Sequence, residues 1–215
     1  MAIIRQGIHG GFSGKVAKVV GLQLNGQDVM RGLPRERTSE PTEAEMLNRE
    51  KFKASQLWLQ PIIDFLRIGF QDYAPTFQGF VAAKSYNSKH ALKTDDGKNF
   101  YIDPNLALVS FGTLEPAKTA AVDVSVPGQI KINWDKSGRY GYNDNAMVLA
   151  YGIYDQTYDD HVVYHTAIAR RQHGTGILDM TEYAGKKFHV YLAFITEDRK
   201  NRSNSQYLGE IEVGG

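Results

Sequence analysis

The residues best suited to chemistry in this chain are its six histidines, at positions 9, 90, 161, 165, 173 and 189. His161 and His165 stand four apart, the spacing at which a helix turns two imidazoles toward one zinc ion. The run between them, Val162-Val163-Tyr164, is β-branched and aromatic and predicts a strand instead. Four residues along a strand separate the two side chains by about 13 Å, too far to share a metal. Both are expected as exposed strand histidines. The chain has no cysteine, which excludes a thiolate nucleophile, a disulfide and a Cys-bound zinc.

The glycine-rich opening, His9-Gly10-Gly11-Phe12-Ser13-Gly14-Lys15-Val16, invites comparison with a phosphate-binding loop. That loop needs glycine five positions before Gly14, where His9 sits, and Ser or Thr after Lys15, where Val16 sits. It must also open a helix whose N-terminus faces the phosphate, and a strand-like run follows here. A flexible or tightly turned glycine arm is the expectation, with Gly10, Gly11, Phe12 and Gly14 as candidate assembly contacts. No Gly-x-Ser-x-Gly elbow presents a serine nucleophile, and Gly11-Phe12-Ser13-Gly14 is one residue too tight. Asp159-Asp160 lacks the glycine and spacing of a calcium loop. No spacing singles out a pair of catalytic carboxylates. The chain is therefore read as non-enzymatic, with no catalytic residue, cofactor or metal.

Tyrosine is concentrated in one stretch: Tyr140, Tyr142, Tyr151, Tyr154, Tyr158 and Tyr164 are six of the twelve in the chain. Tyr140, Tyr142, Tyr154 and Tyr158, with Asn143 and Asp159 beside them, form the candidate contact surface. Exposed Tyr near Asn and Asp suits a protein partner or a stacked sugar ring, and half-buried strand tyrosines are the plainer alternative. Arg170-Arg171, Lys186-Lys187 and Arg199-Lys200-Asn201-Arg202 are short basic clusters, as expected of solvated turns and strand ends. With a net charge of +1, no global field draws nucleic acid or an anionic membrane.

These residues need elements to position them. Val16-Ala17-Lys18-Val19-Val20-Gly21-Leu22-Gln23-Leu24 and Val29-Met30-Arg31-Gly32-Leu33 flank Asn25-Gly26, a pair that predicts a β-hairpin with Leu22 opposite Val29. Residues 34–41 read as a polar, Pro-bounded linker. Thr42, with Glu45 three residues on, opens a helix. From Leu57 to Ile68 the helix is apolar nearly all round and must be covered by a partner or by the rest of the chain. Pro61 predicts a kink or a fresh start. A second helix is expected over residues 76–86, a turn at 95–98, and one or two strands over 100–111. Residues 113–121 form the expected domain boundary, and about seven short strands follow it. The longest nearly apolar run is too short and too polar to span a bilayer. With no apolar leader at the N-terminus, a cytoplasmic location is the default expectation, or carriage by a particle or a dedicated export route.

Ile130-Lys131-Ile132-Asn133-Trp134 resembles the second strand of a fibronectin type III or related immunoglobulin-like sandwich, with its buried Trp. Residues 181–194, ending in Val190-Tyr191-Leu192-Ala193-Phe194, resemble the sixth strand and its preceding turn, with Phe188 where the corner tyrosine would stand. Over nearly its whole length the chain also resembles a family of uncharacterised Bacteroidota proteins. That likeness rests on residues 7–16 (Gly-Ile-His-Gly-Gly-Phe-Ser-Gly-Lys-Val), on 29–34, and on Ser203-Asn204-Ser205-Gln206-Tyr207-Leu208-Gly209. It implies no activity and transfers no site residues. The fold class expected is α+β, with an arm, hairpin and helical region over residues 1–112 and a β-sandwich over 121–215. The function expected is that of a structural or interaction protein, with a protein partner or self-association and with carbohydrate binding as the alternative.

Overall fold

Gly26 adopts a φ of 80°, the left-handed conformation its Asn-Gly pair predicts, and turns one strand back on the next. The computed structural model describes residues 3–4, 10–24, 26–71, 73, 78–136, 143–152 and 161–214. The chain divides into two compact units, Met1–Thr42 and Glu43–Gly215. In the first, β1 (Ile3–Ile4), β2 (Phe12–Val16), β3 (Val19–Leu24) and β4 (Gln27–Gly32) form an antiparallel sheet in sequence order. Leu22 stands opposite Val29 as expected, and Gly21 lies between Gly14 and Met30. Part of the expected glycine arm is thus a paired strand.

In the second unit, α1 (Glu43–Leu59) starts just after Thr42, and α2 (Ile63–Gly69) follows Pro61, which has no N–H to continue the first helix. The next helix, α3 (Gly79–His90), starts and ends later than the sequence suggests. Its last turn holds because the buried Asn87 amide donates to the carbonyls of Ala83 and Leu108 and accepts from the Leu108 N–H. A small hairpin follows, β5 (Leu92–Thr94) on β6 (Phe100–Ile102), around a turn in which Asp96 accepts from the Lys98 and Asn99 amides. Beyond Ile102 no strand continues to residue 111.

Among the described residues seven strands follow: β7 (Ala120–Asp123), β8 (Gln129–Trp134), β9 (Asn145–Gly152), β10 (His161–Arg170), β11 (Thr175–Asp179), β12 (Lys187–Ile195) and β13 (Gln206–Glu212). They pair as two antiparallel sheets, β11-β8-β7 and β10-β9-β12-β13. In β8, Ile130, Ile132 and Trp134 point inward and alternate with half-buried neighbours, the pattern of a sheet wet on one side. Strands β9 and β12 differ, being buried along nearly their whole length. Ala146, Val148, Ala150, Val190, Leu192 and Phe194 face the smaller sheet. Met147, Leu149, Tyr151, Tyr191, Ala193 and Ile195 face the helices, where Trp58, Leu59, Ile62, Phe65 and Leu66 are buried against them.

That second core bears on two expectations. The over-apolar helix finds its cover on the sandwich of its own chain. The helices also belong with the strands that follow, so the compact units part at residue 42, where the expected domains part between 112 and 121. Six side chains of β9 and β12 meet the helical residues directly.

Candidate functional site

Of the candidate contact surface, Tyr140, Tyr142, Tyr154, Tyr158 and Asp159 lie outside the described residues. Asn143 is described and exposed, and its carbonyl accepts from Arg170 Nη1 at 2.9 Å. Of the candidate assembly contacts, Gly10 and Gly11 lead into β2, and Phe12 and Gly14 are part of it. The Phe12 ring lies over Gly21, and Gly11 lies under the Asp28 carboxylate. Ile3, Val16, Leu24 and Met30 are 58%, 52%, 56% and 68% exposed, and the unit buries no apolar side chain among its described residues. Its described residues present apolar surface without a core of their own.

In the second unit, His161 and His165 both lie on β10, opposite Gly152 and Val148, in the extended geometry that separates their rings. His161 meets Lys186 and the Tyr183 ring. Among the described residues no three His, Asp or Glu converge as a metal site. His189 Nδ1 lies 2.9 Å from the Tyr207 hydroxyl, opposite Glu210 on β13. Burial pulls its pKa below the ordinary 6.5, against the pull of the Glu210 carboxylate. The unfolded chain therefore takes this proton at a pH where the folded chain refuses it. Stability should be level above pH 6.5 and fall as pH drops below it. Urea titrations of His189→Gln should show a flatter pH dependence across that window, and an unchanged slope would locate the titration elsewhere.

A buried charge pair closes one end of the sandwich. Arg171 and Asp144 are 4% and 6% exposed, with Nη1 and Oδ2 4.0 Å apart. Arg171 donates to the carbonyls of Glu115 and Pro116 at 2.7 and 3.1 Å and lies 4.3 Å from the Phe194 ring. Its own carbonyl accepts from Trp134 Nε1, and its N–H donates to the Asp144 carbonyl. Desolvation raises the Asp144 pKa and the arginine opposes it. Every one of these contacts is internal, and the pair organises the fold.

The Ser203–Gly209 motif is also structural. Ser205 Oγ accepts from the Val109 N–H at 2.9 Å, and Ser110 Oγ donates to the Ser203 carbonyl at 2.8 Å. Asn204 Oδ1 accepts from the Gly112 N–H, and Gln206 pairs with both backbone groups of Ala117. A Cβ at Gly112 would lie 2.0 Å from the Arg202 carbonyl oxygen, so only glycine permits this approach. Residues 109–117, which run from the end of the expected strand at 100–111 into the expected boundary at 113–121, are stitched onto the sandwich by polar side chains. Ser205→Ala leaves the Val109 N–H buried without a partner and should cost about 1–3 kcal/mol, read from urea unfolding. A loss below the error of that measurement would show the stitch to be incidental.

Three strands against four, with Trp134 buried on the second strand of the smaller sheet, define a fibronectin type III-like sandwich with a helical layer on its larger sheet. Phe188, at the corner position, is wholly buried in β12. The chain belongs to the family of unknown function DUF6266, whose model matches residues 11–209. Among solved structures it is similar to the fn3 domain of human collagen alpha-1(XX) chain, at 14% identity and a TM-score of 0.34, over 46% of this chain and 85% of that one. No curated protein matches it. Among the described residues no helix is long and apolar enough to cross a membrane.

Proposed function

We propose that this is a non-enzymatic structural or protein-interaction protein whose N-terminal sheet meets another protein. The observation that carries this reading is the sheet of Met1–Thr42, four strands with exposed Ile3, Val16, Leu24 and Met30 and no buried apolar side chain among the described residues. A sheet this small gains independent stability only when an apolar face is covered. A subunit of an assembled, phage-derived particle would have such a surface completed by its neighbours. The carbohydrate alternative gains nothing from Asn143, the one described member of its surface, whose carbonyl is held by Arg170.

Hydrogen exchange on the full chain, with light scattering to fix its oligomeric state, tests the reading. In a monomer the amides of β2, β3 and β4 should exchange far faster than those of β9 and β12. In a multimer they should be protected, and lose that protection on dilution to monomer. A monomer that protects β2–β4 as strongly as β9 and β12 needs no partner, and the reading falls.

A further inference from the structure

We propose that β4 and the adjoining sheet face accept an extended, acidic polypeptide as a fifth strand. This rests on the interaction reading above and names the chemistry of its partner.

Residues opposite one another in an antiparallel pair share a face. Lys15, Val20 and Arg31 therefore form one row across β2, β3 and β4, and Leu22 and Val29 belong to the next. Asp28, the acidic residue of β4, lies on the opposite face over Gly11. The Lys15–Arg31 face consequently carries cations and apolar side chains and no carboxylate. Lys18 is at the same end of the sheet, its carbonyl accepting from the Leu33 N–H at 2.8 Å, and Arg35 follows. None of Lys15, Lys18, Arg31 and Arg35 makes an ion pair among the described residues. The charge of the chain is divided in the same sense. Met1–Thr42 holds six basic and three acidic residues, a formal +3, which leaves 19 basic and 21 acidic, or −2, for the second unit.

The class of partner follows from the edge. β4 ends the sheet order, and Gln27–Gly32 contains no proline and lies mostly exposed. Such an edge offers a row of backbone donors and acceptors that only another polypeptide can use. A lipid surface has no matching backbone. A nucleic acid would need stacking aromatics on the cationic face, and Phe12 is on the other one. A fifth strand would lie about 4.8 Å beyond β4. Its carboxylates would meet Arg31 directly, with Lys15, Lys18 and Arg35 adding to the field, and its apolar side chains, alternating to the other face, would lie beside the exposed Met30.

The test is an amide NMR titration of the isotope-labelled full chain with a short peptide of alternating valine and glutamate. The amides of Gln27–Gly32 should shift and exchange more slowly, and binding should weaken as salt rises. Arg31→Glu should weaken it about tenfold, and Arg31→Gln by less. Arg31 is exposed, and an unchanged amide spectrum outside β4 verifies that each variant keeps the sheet. The same peptide N-methylated at alternate residues cannot complete the ladder and should bind at least about tenfold more weakly. The proposal is overturned if a valine–lysine peptide binds as well, if N-methylation changes nothing, or if no amide of β4 responds. It is also overturned if light scattering finds a dimer with β4 protected before peptide is added, because a second copy then holds the edge. Shifts confined to the sandwich would overturn this proposal while leaving the interaction reading intact, whereas strong protection of β2–β4 in the free monomer would remove the interaction reading itself.

Discussion

Arg171→Ala should destabilise the protein by about 3–5 kcal/mol, because it removes one half of a buried charge pair and leaves the other. Asp144 would remain in the same enclosure without its cation, and the carbonyls of Glu115 and Pro116 would lose their donors. The pH dependence identifies the cause. Burial already raises the Asp144 pKa, and without Arg171 nothing opposes that rise. A carboxyl whose folded pKa is raised holds its stability below the unfolded value of 3.8 and loses it as pH increases through the folded one. The defect of Arg171→Ala should therefore be largest near neutrality and shrink toward acid. Asp144→Asn added to Arg171→Ala should recover part of the loss at pH 7. Equal losses at both pH values would place the effect in the missing carbonyl contacts alone.

Phe65→Ala should cost a similar amount, about 3–5 kcal/mol, for a ring that is almost wholly buried and meets Tyr164 edge-on with ring centres 5.8 Å apart. The manner of unfolding is as informative as the size of the loss. Trp58, Leu59, Phe65 and Leu66 share one core with Met147, Leu149, Tyr191 and Ala193. Helices and larger sheet should therefore melt together, with helical circular dichroism and tryptophan fluorescence following one transition in wild type and variant alike. Separate transitions, or a cost below about 1 kcal/mol, would mean that the helices rest on the sheet without stabilising it.

The strands of the sandwich were legible in the sequence because most have one wet face. Ile130, Ile132 and Trp134 alternate with Lys131 and Asn133, and that period has only one reading. The Asn-Gly turn likewise fixed Leu22 opposite Val29. The three-layer arrangement was not legible. Met147 to Tyr151 is uniformly apolar, and such a run states that both faces are covered without saying by what. The apolar helix of Leu57 to Ile68 poses the same question from the other side, and the two answer each other only in three dimensions. The stitch was hidden for another reason. Serine, asparagine and glutamine near the end of a chain look like loop residues, and their partners stand about ninety positions upstream. Of the candidate contacts, Phe12 and Gly14 belong to the paired strand β2, where Phe12 lies against Gly21, and Gly11, just before it, lies against Asp28.

The stitch also imposes an order on biosynthesis. Val109 is held by Ser205, 96 residues later, and Ala117 by Gln206, 89 residues later. The helical residues from Trp58 to Leu66 await β12, which starts only at Lys187. Closing such distant pairs comes late, after the chain between them has been made. While the residues between the helices and β12 are being made, the nascent chain therefore carries a finished apolar helix pair without its sheet to rest on. Newly made protein should depend on chaperones until Gln206 has emerged, and a ribosome stalled a few residues earlier should hold a chain that proteases still cut freely.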